Sequence, residues 1–94
     1  MLDSRTLFNL NGRTAVVTGA ASGLSQAIAV GFAEYGADVV AADINQDGLK
    51  TTVEKITAAG RKGLAVQCDI SQPEQIKALF ETVDQAFGRV DILV

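Results

Sequence analysis

The sequence predicts an α/β fold, a parallel sheet doubly wound by helices in the order β-α-β-α-β-α-β. Three observations predict it. Short apolar runs alternate with longer segments of helical periodicity, and glycine or proline stands at many of the boundaries. The first run, Thr14-Ala-Val-Val-Thr18, is near-continuously apolar, which suits a parallel strand covered on both faces. A turn holding Gly19 and Gly23 joins it to a helical run. Strand, glycine turn and helix, in that order, usually hold a dinucleotide pyrophosphate.

Each element follows from its residues. Residues 1–13 read as a leader arm ending in the turn signal Asn11-Gly12-Arg13. Residues 14–19 read as the first strand. Residues 24–35 read as a helix whose inner face is Leu24, Ala27, Ile28, Gly31, Phe32 and Tyr35, stopped by Gly36. Asp38-Val-Val-Ala-Ala-Asp43 reads as a second strand. Residues 46–59 read as a second helix with Leu49, Val53 and Ile56 inward and Gly60 as its stop. Residues 63–69 read as a third strand. Ser71-Gln-Pro-Glu74 has the spacing of a capping box and predicts the start of a third helix. Its stripe is Ile76, Leu79, Phe80, Val83 and Phe87, and Gly88 ends it. Residues 90–94 open a fourth strand. Helices of crossover length between the strands predict right-handed connections. The last strand has no helix after it, so the sequence reads as one that stops inside a larger sheet, and the isolated chain is expected to fold poorly.

Composition bounds the function classes. Ninety-four residues make at most one small domain. Residues 1–94 are therefore taken as the first part of a single nucleotide-binding domain. Hydrophobic residues at 48% and charged residues at 20% place the chain among globular proteins. The net charge of −3 and the lack of a basic block argue against a nucleic-acid partner. Arg61-Lys62 reads as a solvated pair past a helix end. A single cysteine, Cys68, excludes an internal disulfide and suits a cytoplasmic setting. It reads as a small buried residue rather than a reactive thiol. The absence of histidine removes His-based zinc sites and His general bases, and no metal site is expected. No apolar run is long enough for a membrane-spanning helix, and the start lacks a secretory signal pattern.

The candidate site residues lie after the strands. Gly19, Ser22, Gly23 and Leu24 form the turn and the helix start. Its N–H groups and positive dipole end suit a phosphate. The competing reading is an ordinary tight turn. Asp43 ends the second strand about 20 residues on, where the dinucleotide fingerprint places an acid. A carboxylate there accepts bonds from both ribose hydroxyls and repels a 2′-phosphate. No Arg or Lys adjoins it, so NAD is favoured over NADP. Ile44, next in the chain, is counted with it among the cofactor-binding positions. The competing reading of Asp43 is a helix-capping or turn aspartate. Asp69 and Ile70 follow the third strand. Asp69 suits an adenine amino group and Ile70 an apolar edge of the base; equally, Asp69 suits capping of the next turn.

These residues together resemble the classical short-chain dehydrogenase/reductase family, whose nucleotide-binding domain is of the Rossmann type. The family's Thr-Gly-x-x-x-Gly-x-Gly turn is matched by Thr18-Gly19-Ala20-Ala21-Ser22-Gly23-Leu24-Ser25. The acid of NAD-preferring members falls on Asp43 and the adenine-contacting pair on Asp69-Ile70. Val90-Asp91-Ile92-Leu93-Val94 matches the run that leads into Asn-Asn-Ala-Gly. The leader from Leu7 to Arg13 is similar to that of sugar, polyol and sugar-acid dehydrogenases. The resemblance implies hydride transfer between a nicotinamide and an alcohol or carbonyl substrate, in a homo-oligomer. It also implies a catalytic Tyr-x-x-x-Lys pair with a Ser and an Asn, all beyond Val94. Tyr35 is the single tyrosine and Val39 stands four residues later, so no catalytic residue is expected in these 94 residues, which alone should be inactive. Ser25 departs from the pattern by replacing the third glycine; a modest effect on affinity is expected, with its hydroxyl bonding back to a carbonyl one turn earlier.

Two other classes of function compete. The chain could serve as a non-catalytic nucleotide-binding or regulatory module, with its last strand as a pairing edge. Alternatively, a methyltransferase-type domain binding S-adenosylmethionine also uses a glycine turn and an acid after the second strand. The three residues between Gly19 and Gly23, with Asp69-Ile70 and residues 90–94, argue against that class.

Overall fold

The computed structural model describes residues 9–94, so residues 1–8 of the leader arm lie outside it. Seven elements follow in the expected alternation. They are β1 (Thr14–Thr18), α1 (Gly23–Glu34), β2 (Asp38–Asp43), α2 (Gln46–Ala58), β3 (Gly63–Gln67), α3 (Pro73–Phe87) and β4 (Ile92–Leu93). The strands form one parallel sheet in the order β3-β2-β1-β4. β1 pairs with β2 from Thr14 opposite Asp38 to Thr18 opposite Ala42. β2 pairs with β3 from Val39 opposite Gly63 to Asp43 opposite Gln67.

The alternation of side chains along the central strands sets up two core layers. Ala15 and Val17 of β1, with Val39 and Ala41 of β2, face α1 and α2 and meet Ala29, Ala33, Leu49 and Ile56. Val16, Val40 and Ala42 face the other way and meet Leu79 and Val83 of α3. Both faces of β1 and β2 are thus covered, which is why these strands are apolar at successive positions rather than alternate ones. Sheet and helices form a doubly wound α/β layer arrangement, as predicted.

Several local expectations need correction. The inner face of α1 is Ala29 and Ala33, while Leu24 and Ala27 are exposed and Ile28, Gly31, Phe32 and Tyr35 are half-buried. Small side chains let α1 approach the sheet closely, so the larger apolar residues fall on its flank. There Leu10, Ile28, Gly31, Phe32 and Tyr35 line an open apolar groove of about 330 Å³. Tyr35 is therefore a flank residue, not a core one. In α2 the buried line is Leu49, Thr52 and Ile56, and Val53 is only half-buried. The capping box at Ser71 does not form. Gln72 is the N-cap, Pro73 opens the helix, and Ser71 instead binds Asp69 through both its N–H and its hydroxyl. β3 and β4 are shorter than expected, because Asp69 and Val90 turn out of the ladder. Arg61 is not simply solvated but pairs with Asp38 at 3.2 Å.

At the N-terminal end of the strands, Asp91 joins β1 to the approach to β4. It accepts the Thr14 N–H at 2.8 Å and pairs with Arg89 and Arg13. At the opposite end, the Thr18 N–H and hydroxyl both donate to the Val94 carbonyl at 2.9 Å.

Candidate functional site

The glycine turn, Asp43-Ile44 and Asp69-Ile70 all lie past the C-terminal ends of β1, β2 and β3. In open α/β sheets that end is where ligands bind. Gly19 and Gly23 adopt φ of +67° and +62°, a left-handed conformation that costs other residues about 1–2 kcal/mol. These two residues allow the chain to leave β1 and enter α1 within four positions. Ser22 is the N-cap of α1, extended at φ −161°. The backbone N–H groups of the first turn therefore need an external acceptor.

Asp43 is joined directly to this turn. Its Oδ2 accepts the Ala21 N–H at 3.1 Å and its Oδ1 accepts the Asn45 N–H at 3.0 Å. The turn reading and the ligand reading of this aspartate are compatible. A carboxylate has about four lone-pair sites, and these two bonds occupy two. The turn is also bonded to β2 through Ala20 N–H to the Ala42 carbonyl at 3.1 Å.

Asp69 is engaged locally. Its Oδ1 accepts the Ser71 hydroxyl at 2.7 Å and the Ser71 N–H at 2.9 Å. The Ser71 hydroxyl and then its N–H hold the carboxyl below the usual carboxylate range. This is the turn-capping geometry. The Asp69 N–H donates to Gln75 Oε1 at 2.8 Å, which fixes the segment onto α3. The segments carrying Asp43 and Asp69 are themselves joined, by Cys68 N–H to the Asp43 carbonyl (3.0 Å) and Gln67 Nε2 to the Ile44 carbonyl (3.2 Å). Cys68 is a free, buried cysteine whose thiol is pushed up by burial and then by the Asp69 charge.

Three large apolar side chains at this end stand in solvent: Leu24 is 78% exposed, Ile44 63% and Ile70 58%. Each adjoins a polar group assigned to the site. Apolar area left in water beside hydrogen-bonding groups is the lining expected of a site for a ligand with flat apolar rings and polar links.

Four contributors were missed in the sequence. Asn45 caps α2 by accepting the Gly48 N–H at 3.1 Å; an Asn before a helical run was the available signal. Gly48 brings α2 against the turn so closely that a Cβ there would lie 2.6 Å from the Ala21 oxygen and 2.7 Å from its Cβ. Thr52 and Gln26 hold the turn's carbonyls. The Thr52 hydroxyl donates to the Ala20 carbonyl at 2.6 Å, and Gln26 Nε2 donates to the Ala21 carbonyl at 3.2 Å and to Thr52 Oγ1 at 2.8 Å. The carbonyl one turn before Ser25 is thus taken by Gln26. Ser25 itself sits beside Gly19, with Oγ 3.6 Å from where a Cβ would stand, an ordinary contact.

A groove of about 690 Å³ lies elsewhere, along α2 and the β3 edge, lined by residues such as Lys50, Val53, Glu54 and Ala65. It reaches the start of α2 at Gln46 and Asp47, but that N-terminus is capped by the Asn45 side chain and carries the Asp47 carboxylate, and the groove has no glycine turn. Among the described residues, no helix is long and apolar enough to cross a membrane. Nor does any group of three or more Cys, Asp or Glu residues suit a metal ion there.

A family model described as short chain dehydrogenase matches residues 13–94. The 2-dehydro-3-deoxy-D-gluconate 5-dehydrogenase of Dickeya dadantii is 46% identical over 87 residues, covering 93% of this chain and 34% of that protein. The 7alpha-hydroxysteroid dehydrogenase of Escherichia coli is 40% identical, covering 90% of this chain and 33% of that protein. Among solved structures, a short chain dehydrogenase/reductase from Burkholderia phymatum in complex with NAD is similar at a TM-score of 0.86 and 38% identity. The match covers 92% of this chain and 31% of that one. The chain spans about a third of the length of these curated relatives. With its family model matched across both core layers and the glycine turn, the chain belongs to the short-chain dehydrogenase family.

Proposed function

We propose that this chain holds the adenosine and pyrophosphate of NAD in an oxidoreductase that passes a hydride between the nicotinamide and the carbinol or carbonyl carbon of a small substrate. The observation that carries the reading is the bond from Ala21 N–H to Asp43 Oδ2. It couples the phosphate turn to the acid that would hold the ribose, so the two are set at a fixed spacing before any ligand arrives.

In this reading the Gly19–Gly23 turn and the α1 N-terminus take the pyrophosphate, Ser22 and Leu24 flanking it. Asp43 takes the adenosine ribose hydroxyls. Ile44 and Ile70 take the faces and edge of the adenine, with Asp69 at its amino group through the lone pairs that Ser71 leaves unused. When bound, the nicotinamide supplies the hydride chemistry. This chain's residues bind and orient the far half of the cofactor and cover its base with apolar side chains. The preference for NAD over NADP rests on Asp43, since a carboxylate at the 2′ position repels a phosphate. The sugar-acid and hydroxysteroid dehydrogenases among the relatives support an alcohol or carbonyl substrate. A cytoplasmic, homo-oligomeric protein without metal or nucleic-acid partner is part of the same proposal.

Titration calorimetry of the purified protein with NAD, NADP and S-adenosylmethionine tests it. The expected order is NAD tighter than NADP by about tenfold or more, on the order of one charged contact, with no heat from S-adenosylmethionine. Preferential binding of S-adenosylmethionine would refute the reading. Binding of NAD by a natural protein that transfers no hydride would support a nucleotide-binding module instead.

A further inference from the structure

We infer that Thr52 and Gln26 are positioning residues for the phosphate turn, a role that rests on the proposed NAD site and adds to it. Thr52 is fully buried, in mid-helix, at a position where α2 otherwise buries Leu49 and Ile56. A hydroxyl in that line requires a partner, since an unsatisfied one is costly in an apolar layer. Two acceptors lie within its reach, the Ala20 carbonyl 32 residues away at 2.6 Å and the Gly48 carbonyl one turn earlier in α2 at 3.1 Å, and its single proton serves the shorter contact. The Thr52 oxygen in turn accepts Gln26 Nε2 at 2.8 Å, and the second Nε2 proton goes to the Ala21 carbonyl at 3.2 Å. Gln26 Oε1 accepts Lys55 Nζ at 3.4 Å. Both Nε2 protons of Gln26 and the hydroxyl proton of Thr52 are thus engaged, and the two consecutive carbonyls of the turn are held by side chains, that of Ala20 from α2 and that of Ala21 from α1.

The electrostatic consequence is direct. A phosphate-binding turn works by presenting N–H groups, and a carbonyl oxygen facing the same phosphate would repel it. Two protein donors fix the carbonyls of Ala20 and Ala21 away from the ligand side. The turn is then preorganised, and the ligand need not supply the cost of ordering it. Two small residues between Gly19 and Ser22 allow this close seating against Gly48.

The test uses Thr52→Val, which keeps shape and removes the hydroxyl, with Thr52→Ser as the conservative rescue and Gln26→Leu as an independent break of the same relay. NAD and adenosine affinities are measured by calorimetry at a temperature where every variant is folded by circular dichroism. Thr52→Val and Gln26→Leu are expected to weaken NAD about tenfold, the scale of one lost hydrogen bond. Adenosine, which lacks the pyrophosphate, should bind with unchanged affinity. Thr52→Ser should restore NAD to within about twofold. The double variant should lose less than the sum of the two, because one relay is broken in each. Unchanged NAD affinity in both single variants, or equal losses for NAD and adenosine, would overturn the positioning role while leaving the NAD site intact. A wild-type protein that bound no NAD would overturn the proposed function and this role together.

Discussion

Replacing Asp43 by Asn separates the aspartate's structural duty from its proposed duty toward cofactor. In the free protein the carboxylate accepts two backbone N–H groups, from Ala21 at 3.1 Å and Asn45 at 3.0 Å. An amide keeps one acceptor oxygen and turns an NH₂ toward the other donor. One charge-assisted bond is lost, at about 1.5–3 kcal/mol when well shielded. Asp43 is only half-buried, so about 1 kcal/mol is the better figure. In a domain of 60–100 residues that lowers the thermal midpoint by about 4–8 °C, and in one of 150–250 residues by about 2–4 °C. The effect on NAD is larger, because both ribose hydroxyls would donate to the carboxylate and the amide offers them one oxygen. A loss of about 1.5–3 kcal/mol corresponds to a factor of about 10–150 in Kd. NADP should not share that loss, since removing the negative charge relieves repulsion of its 2′-phosphate. Calorimetry with both nucleotides, at a temperature well below the lowered midpoint, reads the ratio. The expected result is a fall of at least tenfold in the NAD preference. A ratio unchanged within error, in a protein that melts a few degrees lower, would mean that Asp43 serves the turn alone.

Further outcomes can be checked independently. Gly48→Ala gains up to about 1 kcal/mol of helix propensity but drives a methyl to 2.6 Å from the Ala21 oxygen. Overpacking of that kind costs about 1–3 kcal/mol, so the melting temperature should fall slightly while NAD affinity falls more; equal or improved binding would show that α2 yields without moving the turn. The Asp91 carboxyl is held below the usual carboxylate range, first by Arg89 and then by the Thr14 N–H. Its contribution is therefore complete above the unfolded value of about 3.9 and is lost as pH falls through the lower folded value. Thermal midpoints from about pH 6 down to about pH 2.5 should show a steeper acid decline in the wild type than in Asp91→Asn, and parallel curves would refute the assignment. The Cys68 thiol, buried and pushed up, should react with a disulfide reagent at neutral pH only at the rate of local opening; reaction as fast as a free thiol would contradict its burial.

The sequence made the topology legible because periodicity switches cleanly between segments and both core strands carry apolar residues at successive positions. Turn and acid were legible because their spacing is local or set by one βαβ unit. What was not legible has a common cause: contacts chosen by size or by distant partners. The face of α1 differs from its hydrophobic stripe because large apolar residues dominate that stripe, whereas the small side chains of Ala29 and Ala33 are the ones that fit against the sheet. The spacing of Ser71 to Glu74 fits a capping box, but Asp69 two residues earlier offers the Ser71 hydroxyl a charged acceptor. Thr52 shares the helical spacing of Leu49 and Ile56, but nothing local in the sequence shows that the Ala20 carbonyl lies opposite its hydroxyl. Gly48 looks like a weak helix position until the turn is seen against it.

The pairing of β1 with β2 places Thr18 opposite Ala42, and the turn beyond β1 bonds to Ala42 itself and to the next residue of β2, Asp43. Sliding one strand past the other by a single residue would carry Asp43 to the opposite face of the sheet and separate it from Ala21. A nucleotide seated across that junction would therefore recognise only the correctly aligned sheet. At a hundred times its Kd it would favour that alignment by about 2.7 kcal/mol and give slipped arrangements nothing. A ligand so seated would act as a proofreader of strand alignment.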